Sequence, residues 1–148
     1  MAQVPIFSHI LVPTDGSRAS INAARLAIRL AAAHGAKLTF VYVVDSAVSE
    51  ELTRHSKKTA EQTRRDLEVS GQRYLDYLTR LAKEQGLTAK QVLRHGNPHN
   101  EIISLAHEEG VDLIVMGEVG RRGARRMLMG SVAERVIGYA CCPVLVTR

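Results

Sequence analysis

The sequence contains no tryptophan, and aromatic side chains make up only 4% of its 148 residues. Base-stacking platforms are therefore scarce, so nucleic acid is not the expected partner despite a formal net charge of +5. There are two cysteines, Cys141 and Cys142, adjacent to each other and directly before Pro143. Neighbouring thiols provide neither the separated pairs of a disulfide framework nor the spaced ligands of a zinc site, so packing is their simplest role. No apolar run approaches the ~18 residues of a membrane-spanning helix. Nothing at the N-terminus pairs a charged segment with an apolar stretch. A cytoplasmic protein without membrane insertion is expected.

What is present has globular proportions, with 45% hydrophobic and 24% charged residues. One domain spanning residues 1–148 is expected. Short apolar runs alternate with long amphipathic ones. Residues 6–12 (IFSHILV) and 38–44 (LTFVYVV) read as strands. Between them Ala23, Leu26, Ala27, Leu30 and Ala31 share one helical face, with Ser17 placed to cap the start and Gly35 to end it. Residues 45–56 read as a polar connection. A charge-laced helix follows over residues 57–85, its seam carrying Leu67, Tyr74, Leu78 and Leu81, with Gly71 on the same seam as a point of close packing.

A weaker strand over residues 90–94 leads to GNPHNE, where Asn97 and Pro98 suit a helix N-cap and first position. Residues 111–116 (VDLIVM) read as a strand. Val132, Ala133, Val136, Ile137 and Ala140 mark the face of a last helix, and residues 143–147 (PVLVT) form the closing strand. Five strands alternating with four helices require right-handed parallel crossovers and a sheet covered on both faces. The expected fold is α/β, an open doubly wound five-stranded parallel sheet, Rossmann-like, in the strand order 3-2-1-4-5. Such sheets bind ligands beyond the carboxyl ends of their strands, where the order reverses.

Those ends carry the polar residues of interest. After the first strand, Pro13, Thr14 and Asp15 precede Gly16 and Ser17. Asp15 reads either as a turn residue or as a contact to a sugar or base. Val43 belongs to an apolar wall suited to a flat base or to core packing. After Met116, the end of the fourth strand, MGEVGRRGARRMLMGS places Gly117, Gly120 and Gly130 before Ser131 at a helix start. A helix N-terminus favours anions, and glycines allow backbone amides to approach phosphate closely. Arg121, Arg122, Arg125 and Arg126 could neutralise a polyphosphate; a solvated basic loop would carry the same residues.

Other nucleotide and hydrolase signatures are missing: GxxxxGK[ST], GxGxxG and GxSxG do not occur. The six histidines form no compact metal-ligand pair, although His95 and His99 flank the loop after the third strand.

The spacing Gly117-x2-Gly120-x9-Gly130-Ser131 resembles the G-2x-G-9x-G-[S/T] ATP-binding pattern of the universal stress protein (UspA-like) family. ILVPTDGS, YVVD, HGNPHNEI, VDLIVMG, GSVAERVI and CPVLV extend the resemblance over nearly the whole chain. It implies a site in which Pro13, Thr14 and Asp15 line the adenine and ribose, and the Val43 backbone contacts adenine. Met116, Gly117 and Gly120 would lie near ribose and phosphate. Gly130, Ser131 and Val132 would hold the phosphates, with Arg121 nearby. The implied ligand is ATP, with Mg2+ or Mn2+ held mainly by the phosphates. A homodimer through residues 143–147 and an unidentified protein partner are also implied.

One departure stands out. Glu118-Val119 replaces the small or hydroxyl residue and the His or Arg common in that family. A carboxylate repels a nearby phosphate by about 1 kcal/mol at ~4 Å in water, and several-fold more in a less polar pocket. The expected role is regulatory and non-enzymatic, with no catalytic residue assigned. The alternatives are a module with another nucleotide preference, AMP or cyclic AMP, and a slow ATPase using Glu118 or His99.

Overall fold

The computed structural model describes residues 4–118 and 129–148. The elements run β1 (His9–Pro13), α1 (Arg18–His34), β2 (Lys37–Asp45), α2 (Ser46–Arg54), α3 (Ala60–Glu84), β3 (Lys90–Gly96), α4 (Pro98–Glu108), β4 (Leu113–Gly117), α5 (Ser131–Tyr139) and β5 (Val144–Thr147). All strand pairs are parallel, in the order β3-β2-β1-β4-β5. The expected Rossmann-like α/β order is therefore the observed one.

Alternation along each strand divides the core. Ile10, Val12, Leu38, Phe40, Tyr42 and Val115 face α1 and α3. Leu11, Val41, Ile114 and Met116 face α4 and α5. The sheet is thus covered on both sides, with β1 buried throughout and β4 buried from Leu113 to Met116.

Local chemistry sets the helix ends. The Ser17 side chain accepts the Ser20 N–H, and Gly35 ends α1 in the left-handed region at φ 66°. Thr59 and Gln62 form a reciprocal capping box at the start of α3. Asn97 caps α4 with Pro98 in the first turn. The close packing expected at Gly71 is present: a Cβ there would lie 2.2 Å from the Tyr42 ring.

Three expectations need correction. Residues 45–56 are not a plain connection, because Asp45 accepts the N–H groups of Ala47 and Val48 and starts α2. That helix is nine residues long and has no fully buried residue, so its few apolar positions, a half-buried Val48 and an exposed Leu52, give only a short signal in the sequence. Strand β1 begins at His9 rather than Ile6, whose side chain is 75% exposed, and pairing starts with His9 opposite Lys37. In α1 the buried face centres on Ala24 and Ile28 together with Ala23, Ala27 and Ala31; Leu26 and Leu30 lie at its margins.

Candidate functional site

Strand β1 pairs with β2 on one side and β4 on the other, so successive crossovers leave in opposite directions from this point. Such a divergence leaves a crevice beyond the strand ends. A cavity of about 870 Å³ occupies it here, within the usual size of small-molecule sites, ~300–1,000 Å³. Val41, Val43, Met116, Ile102 and Ala133 form an apolar wall on the α4–α5 side. Tyr42, Leu67 and Tyr74 close the α3 side.

The β1–α1 turn is tightly determined. Thr14 N–H donates to the Val41 carbonyl at 2.8 Å, holding the turn against β2. The Thr14 and Ser20 hydroxyls are 3.1 Å apart, and Gly16 N–H donates to Thr14 Oγ1 at 3.2 Å. Asp15 Oδ1 accepts the Ser17 N–H at 2.9 Å. Asp15 is therefore a turn residue and a cavity wall together.

Opposite this turn, α5 begins at the cavity. Its N-cap is Gly130, which offers no side-chain hydrogen bond, and Ser131 is the first helical residue rather than the cap. Ser131, Val132, Ala133 and Glu134 all line the space. The partial positive end of α5 therefore opens on it without a capping side chain. Glu118 fixes this helix start: its carbonyl accepts the Gly130 N–H at 2.8 Å, and its own N–H donates to the Thr147 carbonyl at 2.6 Å. Glu118 Oε2 lies 3.3 Å from Arg148 Nε.

The structure brings Pro13, Thr14, Asp15, Val43, Met116, Gly117, Gly130, Ser131 and Val132 to one cavity. Gly120 and Arg121 lie outside the described residues, as do Arg122, Gly123, Arg125 and Arg126. Gly117 has a second reason to be glycine, since a Cβ there would stand 2.7 Å from the Ala19 backbone carbon at the start of α1. Ser20, Val48 and Tyr74 also line the cavity and were not expected. Tyr74 could have been found from its place on the helical seam. Val48 sits on α2, in the stretch expected to be a polar connection.

His95 Nε2 lies 2.8 Å from Glu68 Oε1, and it is Pro98, not His99, that contributes to the cavity wall. Burial, then the Arg135 charge, lowers the His99 imidazole from its ordinary value. Every charged residue among the described lining is acidic: Asp15, Asp45, Glu118 and Glu134. No group of three or more His, Cys, Asp or Glu among the described residues could hold a metal ion. Also among them, no helix is long and apolar enough to cross a membrane.

Comparison with known proteins gives a consistent result. The model of the universal stress protein family matches residues 7–148. Universal stress protein MJ0531 of Methanocaldococcus jannaschii is 40% identical over 143 residues, covering 97% of this chain and 83% of the relative. The structure of MJ0577 from the same organism matches with a TM-score of 0.83 and 26% identity, covering 96% of each chain. A universal stress protein in complex with cAMP matches with a TM-score of 0.68 and 26% identity, over 96% of this chain and 97% of that one.

Proposed function

The chain belongs to the universal stress protein family, and we propose that it is a regulatory, non-enzymatic adenine-nucleotide-binding member, with ATP as ligand. One observation carries this reading: the cavity at the β1–β4 divergence has an apolar wall on one side and the side-chain-uncapped start of α5 on the other. A flat base suits the first and phosphate the second. Adenine packs along Val41 and Val43, with the Val43 backbone as its polar contact, while Pro13, Thr14 and Asp15 border the ribose. Met116 and Gly117 flank the sugar and first phosphate, together with Gly120. Gly130, Ser131 and Val132 receive the phosphates, with Arg121 supplying positive charge. Mg2+ or Mn2+ is held mainly by the phosphates.

The relative solved with cAMP supports adenine-nucleotide binding in this fold. It also favours a second reading, in which AMP or cyclic AMP is preferred. The acidic character of the described lining points the same way. In either case the 148 residues act as one domain in the cytoplasm. Two copies join through β5, an exposed sheet edge, and nucleotide binding shifts the conformation offered to a protein partner.

The test is to denature purified protein, identify the released small molecules by mass spectrometry, and titrate emptied protein calorimetrically with ATP, AMP and cyclic AMP. A co-purifying adenine nucleotide and saturable heat are expected. Lack of both sinks the reading.

A further inference from the structure

We propose that Glu118 sets how many phosphates the site accepts, its carboxylate disfavouring a triphosphate relative to a monophosphate while Arg148 tempers the effect. This deepens the nucleotide reading above and rests on it.

The first support is position. Glu118 is bonded through its main chain to both Thr147 and Gly130. It is therefore anchored between the end of β5 and the start of α5, where the phosphates are placed. Its side chain is 19% exposed, and the residue lines the cavity beside Gly117, Gly130 and Ser131. The backbone that carries this carboxylate is therefore held at the cavity when an anion arrives.

The second support is that compensation of Glu118 by the described residues is incomplete. The described ion-pair partner is Arg148, whose side chain is 88% exposed. Asn22 holds the Arg148 carbonyl at 3.1 Å, keeping the residue near α1. A guanidinium this exposed is strongly screened, so it offsets only part of the Glu118 charge. The other acidic lining residues differ in their attachments. Asp15 and Asp45 accept main-chain amides at the ends of β1 and β2, and Glu134 is exposed on the first turn of α5.

Third, attraction and repulsion scale differently. The start of α5 favours the first phosphate of any nucleotide through short-range hydrogen bonds and its dipole, an effect that fades beyond the first turn. Each added phosphate brings more negative charge against Glu118, so the penalty grows with phosphate number. Selectivity then comes from a repulsive element as much as from contacts.

Calorimetric titration of AMP and ATP in chelator-containing buffer tests this, using wild type, Glu118→Gln, Glu118→Asp and Arg148→Gln. Main-chain bonds at position 118 persist in every variant. Glu118→Gln is expected to raise affinity for ATP relative to AMP by at least about fivefold, the scale of one half-screened like charge. Glu118→Asp keeps the wild-type ratio, and Arg148→Gln moves it the opposite way. An unchanged ratio in both Glu118→Gln and Arg148→Gln overturns the proposal, as does an equal shift in Glu118→Gln and Glu118→Asp, which would indicate shape rather than charge. If AMP and ATP both bind the wild type, these failures leave the nucleotide reading standing. If neither binds, both fall.

Discussion

The Tyr74 ring lies over Gly16, so close that a Cβ at Gly16 would stand 2.3 Å from Tyr74 Cζ. The contact joins α3 to the turn that carries Asp15, and Gly16 holds a left-handed φ of 81°. Two costs therefore meet in Gly16→Ala: backbone strain and displacement of a ring in the cavity wall. A loss of about 2–4 kcal/mol in urea unfolding is expected, with weaker nucleotide binding as Asp15 shifts. Gly35→Ala supplies the control, because Gly35 has φ 66° but nothing within 4 Å of its missing Cβ. That variant should lose only the strain component, about 1 kcal/mol. Equal losses at the two positions would mean that the Tyr74 contact carries no weight.

Two glycines of the phosphate-loop pattern should separate under substitution. Gly117→Ala drives a Cβ to 2.7 Å from the Ala19 backbone, which no flexible side chain can relieve. It should destabilise the fold by about 1–3 kcal/mol. Gly130 has φ −64° and ψ 151°, angles open to any L-residue. Gly130→Val should therefore lower nucleotide affinity at least about tenfold without adding backbone strain. Circular dichroism with denaturant and calorimetry on the same preparations distinguish the two. Unchanged affinity in Gly130→Val would show that phosphate does not approach there.

That contrast indicates how far the sequence could be read. Glycine spacing located the start of α5, and strand–helix alternation located the sheet and its reversal at β1. Neither could separate a glycine needed for packing from one needed for ligand approach, since that depends on Ala19, nearly a hundred residues away in sequence. Apolar periodicity found four helices but not α2, whose nine residues include no fully buried one. Glu118 was visible as an anomaly. Its ties to Gly130, Thr147 and Arg148 exist only once β5 lies beside β4.

At the amino ends of the strands, Asp112 should govern acid stability. Burial pushes its carboxyl up, but the N–H groups of His9 and Ser8 and the Ser8 hydroxyl outweigh this, leaving it below its ordinary value. The folded state thus binds fewer protons than the unfolded one near the ordinary Asp pKa of about 4. Its stabilisation is present above that pH and lost as pH falls through the lower folded value. Unfolding free energy of the wild type should decline below about pH 4, and Asp112→Asn should reduce the slope of that decline. Identical slopes would remove Asp112 from the acid response. Measurement at pH 2–5 in urea is sufficient.

Strand β5 lies at the sheet edge with Leu145 38% exposed, and Ile137 and Tyr139 are exposed on the preceding helix. If two copies pair along this edge, a two-fold axis brings the same surface together from each copy. Leu145→Lys would then place two like charges in one interface. Sedimentation should show a wild-type dimer, with the variant shifted to monomer and its circular dichroism unchanged. A monomeric wild type, or a variant that remains dimeric, rejects β5 as the interface.

Thr147 makes the last prediction, and its direction is unusual. Its Oγ1 is buried and has no hydrogen-bond partner among the described residues, although its carbonyl accepts the Glu118 N–H. An unpaired buried hydroxyl costs about 1–3 kcal/mol, so deleting it while keeping the β-branched shape removes a penalty. Thr147→Val should raise stability by about 1 kcal/mol, whereas Thr147→Ser keeps the hydroxyl, loses a methyl and should fall below wild type. Because β5 is also the proposed dimer edge, the urea midpoints need to be taken at two protein concentrations. A gain that does not vary with concentration belongs to the fold, and one that does belongs to association. Destabilisation of Thr147→Val at both concentrations would mean that the hydroxyl is satisfied in solution, and that the end of β5 packs differently beside Glu118.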